Sequence, residues 1–369
     1  MAGARGTIDT SLSFSPAESS RLIRSLRLFI DDGTRSVGDA SLGCANLIYL
    51  SLLSLDLERQ VKEGSRHHTF LAIEEPEAHL HPHLQRLVFR DFFQRTEQDV
   101  PEAEEPAQTT IVTTHSPNIV SVAPLKSLVL LKNRVGGGTK ATSTATLQLN
   151  ATEFDDLQRY LDVNRGECVF ASGLILVEGI AEEYLVPAFE TLLGRDLDML
   201  GISLCVVGGT NFVPYVKFFG PGGLKIPIAV LTDHDPIGDI EPLAHNRIKG
   251  LLEAIGEPVA NLNLANFVDV GARNGFFVNS HTLEIDLLES GAGAIMIQVL
   301  KELTENGAVV KRCDKWQADP GLLEKTQFLK DIIEVGKGRF AQRLASCLGA
   351  DHCPAYIRNA IEYIVEKAA

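Results

Sequence analysis

The chain has 369 residues, of which 45% are hydrophobic, which is enough for two domains with separate cores. Its formal net charge of −14 argues against a broad basic groove for nucleic acid, because phosphate binding requires Lys and Arg. No stretch approaches the roughly 18 apolar residues of a membrane span, and the six cysteines are scattered without a Cys-x-x-Cys pair. The composition predicts a cytoplasmic protein without a membrane partner.

The first motif in the chain is Ala-Ser-Leu-Gly-Cys-Ala-Asn at residues 40–46, which stands before a predicted helix. This segment resembles a degenerate signature motif of ABC-type ATPases, with Ser41 and Gly43 at the matching places. In such a motif, backbone N–H groups at a helix N-terminus meet the γ-phosphate held by a partner subunit. The resemblance therefore implies a homodimer formed through the ATPase head.

An apolar run at residues 70–73 ends in two acids, Glu74 and Glu75, and continues as Pro-Glu-Ala-His-Leu-His-Pro. It resembles the Walker B strand and D-loop of the same ATPases. The resemblance implies that Glu74 holds Mg²⁺ through water and that Glu75 polarises the attacking water, although Asp is usual at the first position. Residues 110–117 resemble the following strand with its switch histidine, His115.

The sequence contains no Gly-x-x-x-x-Gly-Lys-Ser/Thr string, which a phosphate-cradling P-loop requires. The nearest imitation, Gly-Gly-Gly-Thr-Lys at residues 136–140, has the wrong spacing. We interpret it as the loop of a hairpin between strands at residues 128–131 and 145–149. The chain is thus expected to be the C-terminal part of a longer protein, with ATP a cofactor only of the full-length protein and no ATPase activity in this chain alone.

Two further apolar runs, at residues 174–177 and 228–232, each end abruptly in carboxylates. Continuous apolar runs of this length are typical of strands buried on both faces of a parallel sheet. Ligands bind at the carboxyl ends of such strands, so Glu178, Asp233 and Asp235 are expected at one edge of the sheet. Hard oxygen ligands there favour Mg²⁺ or Mn²⁺.

This pattern, Glu-Gly after one strand and Asp-x-Asp after a later one, resembles the Toprim domain of topoisomerases, primases and several nucleases. Residues 204–209 match the intervening strand and glycine turn, and residues 182–193 match the first crossover helix. Glu182 lies four residues after Glu178, so a helix that begins at the Gly179 turn brings it to the same site. The family pattern favours Glu182 over Glu183 as a metal ligand.

The order of signature, Walker B, D-loop, switch histidine and Toprim resembles the OLD (overcoming lysogenization defect) family of nucleases. Residues 276–287 resemble the family's strand and Thr-Leu-Glu segment, which implies that Glu284 is a ligand of a second metal ion at the strand end. Residues 336–341 resemble its lysine-bearing segment, which implies that Lys337 offsets charge on the scissile phosphate.

The predicted fold class is α/β: half of an ABC-type ATPase head, then a Toprim domain with a parallel-sheet core and a helical C-terminal elaboration. The ATPase part is assigned to residues 1–168 and the Toprim nuclease domain to residues 169–369. Within the latter, the core covers residues 169–290 and the elaboration residues 291–369. The late helices are predicted at residues 283–288, 295–304, 322–334, 338–348 and 355–366.

The resemblance implies a divalent-metal-dependent DNA nuclease, with Glu178, Asp233 and Lys337 in catalysis and a pair of metal ions. Two alternatives remain open. One is strand passage or primer synthesis, although none of the tyrosines stands in a motif that marks a nucleophile. The other is a non-catalytic module for ATP sensing and dimerisation. The sequence determines neither the DNA target nor whether a helicase is a companion.

Overall fold

The computed structural model describes residues 26–30, 32–98, 108–134, 136–161, 165–236 and 241–368. The chain packs as two units, one formed by Met1–Leu84 and Val100–Thr114 and the other by Gln85–Asp99 and His115–Ala369. Residue 168, the predicted domain boundary, lies within the second unit. In the described part of the chain, no helix is both long and apolar enough to cross a membrane.

The first unit contains a short antiparallel pair and a parallel pair of strands. The antiparallel pair is β1 (Phe29–Ile30) with β2 (Arg35–Ser36), and the parallel pair is β3 (Thr69–Glu74) with β4 (Gln108–Thr113). The parallel pairing confirms the two strands predicted around the Walker B-like segment. Helix α1 (Leu42–Lys62) precedes β3, and helix α2 (Pro82–Gln98), most of which belongs to the second unit, follows it.

The signature-like motif forms the start of α1. The Ser41 hydroxyl caps the helix by accepting a hydrogen bond from Cys44 N at 3.4 Å. Gly43 lies in the first turn, where a Cβ atom would stand only 2.4 Å from the carbonyl oxygen of His79 in the D-loop-like segment. Glycine at this position therefore allows the helix to pack directly against that backbone.

Gly43→Ala is expected to destabilise the first unit by about 1–3 kcal/mol, the usual cost of overpacking, because the D-loop-like backbone has to move away. Differential scanning calorimetry measures the change as a lower unfolding temperature. Gly307→Ala is the matched control, since nothing lies within 4 Å of a Cβ atom there. Equal unfolding temperatures for the two variants would contradict the packing argument.

After β4, the second unit continues with helix α3 (Pro117–Val120) and a hairpin of β5 (Val129–Arg134) and β6 (Gly138–Ser143). A hairpin was predicted here and is present, but the predicted position of its second strand, residues 145–149, is wrong. Val129 pairs with Ser143 and Arg134 with Gly138, so the chain reverses directly after β5. The largely exposed, polar β6 lacks the apolar alternation by which a strand is found. Helix α4 (Ala151–Tyr160) follows, with a capping box of Asn150 and Glu153.

A parallel four-stranded sheet forms the core of the second unit, in the order β10-β9-β7-β8. Its strands are β7 (Gly173–Val177), β8 (Ile202–Val206), β9 (Ile228–Thr232) and β10 (Phe276–Val278). Every residue of β7 and β9 is buried, as the two apolar runs predicted. Because β7 and β9 are neighbours, the residues that follow them meet at one edge.

Helices cover both faces of this sheet, because alternate side chains of each strand point to opposite sides. Ile175 and Val177 pack into one apolar core, and Leu174 and Leu176 into the other. The helices between the strands are α5 (Ile180–Leu192), α6 (Val213–Phe219), α7 (Leu243–Ala254) and α8 (Phe267–Arg273). This arrangement confirms the predicted α/β fold class.

The C-terminal part is helical, as predicted. Its helices are α9 (Leu283–Leu287), α10 (Gly293–Leu303), α11 (Gly307–Ala318), α12 (Lys325–Val335), α13 (Lys337–Ala345) and α14 (Ala355–Ala368). The sequence interpretation missed α11, although its buried residues Val309, Cys313 and Trp316 recur at helical spacing.

Candidate functional site

Glu178 and Asp233 lie side by side at the carboxyl edge of the sheet. Glu178 follows β7 directly, and Asp233 follows β9 directly. Glu178 Oε1 accepts hydrogen bonds from Thr232 Oγ1 at 2.5 Å and from Asp233 N at 2.9 Å. The structure thus brings together the two strand-end acids that the sequence predicted, and β9 itself holds the Glu178 carboxylate in place.

Asp233 is held from the other side by the segment after β10. Its Oδ1 accepts hydrogen bonds from Asn279 Nδ2 and, at 3.2 Å, from Leu283 N. Asn279 also accepts a hydrogen bond from His234 N at 2.8 Å. Asn279 therefore fixes the backbone and the side chain of the Asp-x-Asp segment together, a role that the sequence interpretation did not assign.

Glu182 and Glu284 are buried acids, with 8% and 4% of their surface exposed. Glu182 lies in the first turn of α5, where its Oε2 accepts a hydrogen bond from Gly179 N at 3.2 Å. Glu284 lies in the first turn of α9, which agrees with the helix predicted at residues 283–288 and not with the strand end expected for this acid. The chain turns into a helix after Ser280, and this turn, not β10, brings Glu284 inward.

Lys337 is the first residue of α13, and its Nζ pairs with Glu284 Oε1 at 3.0 Å. Gly336 precedes it with a φ of 91°, a conformation that favours glycine. A Cβ atom at Gly338 would lie 2.8 Å from Ile180 Cγ2 at the start of α5. The two glycines therefore set the turn and the close packing of α13 on α5, which places the lysine beside the acids.

Arg247 on α7 also belongs to this site and was missed in the sequence. Its guanidinium pairs with Glu178 Oε1 at 3.0 Å and with Asp235. It lies fourteen residues beyond Asp233 (positions 233 and 247), in a helix that the sequence interpretation did not treat as part of the site. No local motif marks it, because its position depends on how α7 packs against the sheet.

Burial and mutual repulsion disfavour the ionised form of the central acids. Burial, together with the charges of Glu178, Glu182 and Glu284, raises the pKa of Asp233 to about 8. Burial, with Glu178 and Glu284 nearby, raises the pKa of Glu182 to about 7. Burial alone would lower the pKa of Lys337, but the surrounding acids, Glu284 first among them, outweigh it and raise that pKa.

Four of the acids share one feature: a single carboxylate oxygen is used by the protein. In the described residues, no hydrogen bond to the second oxygen is recorded for the following side chains: Glu178 (Oε2), Asp233 (Oδ2), Asp235 (Oδ1) and Glu284 (Oε2). Glu284 Oε2 is buried and without a partner, which is costly unless a cation or water is bound.

Within the described ranges, no three His, Cys, Asp or Glu side chains are arranged closely enough to hold a metal ion. The carboxylate oxygens of the site fit a hard divalent cation, but in this structure they are not arranged closely enough to coordinate one.

A cavity of about 600 Å³ opens at the carboxyl end of β8. Its lining includes Arg159, Arg165 and the glycine turn Gly208–Gly209. The two glycine N–H groups donate to the carbonyl oxygen of Glu178 at 3.1 and 2.9 Å, so the cavity begins at the backbone of a strand-end acid. The charged residues of its lining are Asp156, Arg159 and Arg165.

The residues resembling ATPase motifs lie at strand ends. Glu74 ends β3, and Glu75 follows with a φ of 41° and donates its N–H to Thr113 O at 2.9 Å. His115 is exposed and stands two residues after the end of β4. Their roles in binding nucleotide stay predictions.

Comparison with known proteins agrees with this architecture. A family model described as an AAA ATPase domain matches residues 6–120. A second, for the Toprim domain of overcoming lysogenization defect protein-like proteins, matches residues 169–235. The solved C-terminal region of the Burkholderia pseudomallei OLD protein is 46% identical, and the match covers 54% of this chain and 100% of that one, with a TM-score of 0.50. The chain belongs to the OLD family.

A second OLD structure gives the same result. The C-terminal region of the OLD protein from Xanthomonas campestris pv. campestris is 41% identical over 55% of this chain and 96% of that one, with a TM-score of 0.50. None of the curated proteins matches the chain. Membership of the OLD family confirms the resemblance found in the sequence and makes this a member of a nuclease family.

Proposed function

We propose that this OLD-family chain is a divalent-metal-dependent DNA nuclease with a two-metal Toprim site. The observation that carries the proposal is the cluster of buried and half-buried acids at the carboxyl edge of the sheet, with one oxygen left free on each of four carboxylates. Burial, and after it repulsion by the neighbouring carboxylates, raises the pKa of Asp233 and disfavours its ionised form. A protein retains such an arrangement where a cation is bound.

The charges of the site support two divalent ions. When ionised, the five acids Glu178, Glu182, Asp233, Asp235 and Glu284 outnumber the two cations Arg247 and Lys337 by three charges. Two divalent ions would turn this deficit into a single positive charge. That charge matches the single negative charge of a phosphodiester, so the loaded site attracts a DNA backbone although the whole chain is acidic.

We assign Glu178, Asp233 and Asp235 to one ion, and Glu182 and Glu284 to the second, with Asp233 facing both groups. Divalent ions held there would supply an activated water and would stabilise the leaving oxygen of an in-line displacement. The protein contributes the fixed orientation of the acids. Lys337 Nζ, paired with Glu284, stands where it can offset negative charge that develops on a phosphate.

We further propose DNA as the substrate, with Arg159 and Arg165 of the neighbouring cavity as contacts for the adjacent backbone. Guanidinium groups bind phosphate through paired N–H donors. Arg165 is only weakly engaged, at 3.8 Å from Glu183. The OLD-family resemblance also implies that a homodimer forms through the ATPase part and that ATP has a role in the full-length protein. Both remain proposals.

Incubation of the purified chain with supercoiled plasmid and Mg²⁺ or Mn²⁺ tests the function. Nicking and linearisation that EDTA stops are the expected result. Relaxation without breaks would instead indicate a topoisomerase. An unchanged plasmid at every metal concentration would overturn the nuclease proposal and favour a non-catalytic module for ATP sensing and dimerisation.

The metal-free chain is expected to lose stability as the pH rises from about 4 to about 8. In that range Asp233 and Glu182 are protonated in the folded state and ionised in the unfolded chain, so folding becomes less favourable with pH. Thermal unfolding in EDTA should therefore give a melting temperature that falls by several degrees. Millimolar Mn²⁺ should restore it at high pH by binding the folded state. A melting temperature that is flat with pH, or indifferent to Mn²⁺, would contradict the site.

A further inference from the structure

Arg247 joins the ends of β7 and β9 beneath the acidic cluster. Its Nη1 donates to Glu178 Oε1 at 3.0 Å, to Asp233 O at 2.8 Å and to Thr232 Oγ1 at 2.5 Å, while Nη2 pairs with Asp235 Oδ2. The side chain is only 12% exposed, so water competes little for these contacts. Because a guanidinium is planar and its N–H groups have fixed directions, it holds its acceptors in a fixed relation to one another.

We propose that Arg247 is a positioning residue that orients Glu178 and Asp235 toward a divalent cation, an inference that rests on the proposed function. Glu178 Oε1 already accepts from Thr232, from Asp233 N and from Arg247, which leaves Oε2 for a metal ion. Asp235 gives Oδ2 to Arg247 and leaves Oδ1.

Charge and orientation predict opposite effects when Arg247 is replaced. The positive guanidinium repels a cation, so its removal by Arg247→Gln would strengthen metal binding if charge alone counted. Loss of orientation would weaken binding instead, by about 10–100-fold, as is typical when the partner of a metal ligand is removed. The direction of the change therefore separates the two roles. Arg247→Lys keeps the charge and removes the fork, which isolates geometry.

The experiment is isothermal titration of the full chain with Mn²⁺ alone, without DNA, for wild type, Arg247→Lys and Arg247→Gln. Both Arg247 variants are expected to bind Mn²⁺ about 10–100-fold more weakly than wild type. Lys249→Gln is the matched control, because Lys249 lies on the same helix, is exposed, and forms no recorded ion pair with the described residues. Its affinity for Mn²⁺ should equal that of wild type.

The outcomes separate this inference from the function on which it rests. Equal or tighter Mn²⁺ binding by Arg247→Gln would overturn the positioning role while leaving the metal site intact. Wild-type affinity in Arg247→Lys would overturn the requirement for the guanidinium fork. Absence of Mn²⁺ binding by the wild-type chain would overturn the proposed metal-dependent function, and the inference with it.

Discussion

Asp233→Asn is expected to abolish DNA cleavage and, at the same time, to make the metal-free chain more stable at high pH. Asp233 stands opposite Glu178, Glu182 and Glu284, so its charge is needed by both proposed metal ions. The loss of cleavage should exceed the about 10²–10³-fold that follows removal of a single transition-state donor. Asparagine keeps the Oδ1 acceptor for Asn279 and Leu283 N, which preserves the local structure.

The gain in stability has the opposite sign from that of most substitutions of buried residues. A carboxyl with a pKa of about 8 in the folded chain costs folding free energy once the pH exceeds the ordinary carboxyl range, and a neutral side chain does not. Even about 1 kcal/mol would raise the melting temperature by about 2–4 °C in a domain of this size. The difference from wild type should grow between about pH 4 and pH 8 in EDTA.

Asp269→Asn is the matched control, because Asp269 is exposed on α8 and its side chain forms no recorded hydrogen bond or ion pair with the described residues. It should cleave plasmid at the wild-type rate and melt at the wild-type temperature. Wild-type cleavage by Asp233→Asn in Mg²⁺ would remove Asp233 from the active site. A lower melting temperature for this variant at pH 8 would contradict the repulsion among the acids.

The strand-end acids could be predicted from the sequence because their signal is local. One apolar run stops at Glu178 and another stops at Asp233. Each run predicts a buried strand and also the residue at which that strand ends. The parallel register of β7 and β9, in which Leu174 pairs with Ile228, then brings the two ends together without further information.

The remaining parts of the site depend on tertiary packing, which leaves no local pattern. Arg247 reaches Glu178 only because α7 packs across the ends of β7 and β9, and one arginine on a helix resembles any solvated charge. Asn279 follows a three-residue strand, so its contact with Asp233 depends on where β10 ends. Glu284 was singled out by resemblance at a strand end, whereas the structure places it in the first turn of α9, and its role as a metal ligand stays a prediction.

Lys337→Ala is expected to reduce the rate of DNA cleavage by about 10²–10³-fold, the effect of losing one group that stabilises the transition state. DNA affinity should change little, because one lysine among several phosphate contacts contributes a small share of binding. In the structure Lys337 is paired with Glu284 and half-exposed, so the ammonium can reach a phosphate while it remains anchored. Single-turnover cleavage measures the rate, and fluorescence anisotropy with Ca²⁺ in place of Mg²⁺ measures affinity.

Because Lys337 is paired with Glu284, its removal should also affect metal binding, which the removal of an unpaired surface lysine would not. Without Lys337, Glu284 stays buried but loses its only recorded cation among the described residues. Its carboxylate then becomes a better ligand for a metal ion. Mn²⁺ should therefore bind to this variant at least as tightly as to wild type. Slow cleavage combined with undiminished Mn²⁺ binding thus identifies a role in the chemical step. Lys330→Ala, exposed on α12, is the control and should match wild type in both measurements. Cleavage by Lys337→Ala at the wild-type rate would make Lys337 a structural partner of Glu284, and a loss of DNA affinity alone would make it a phosphate contact.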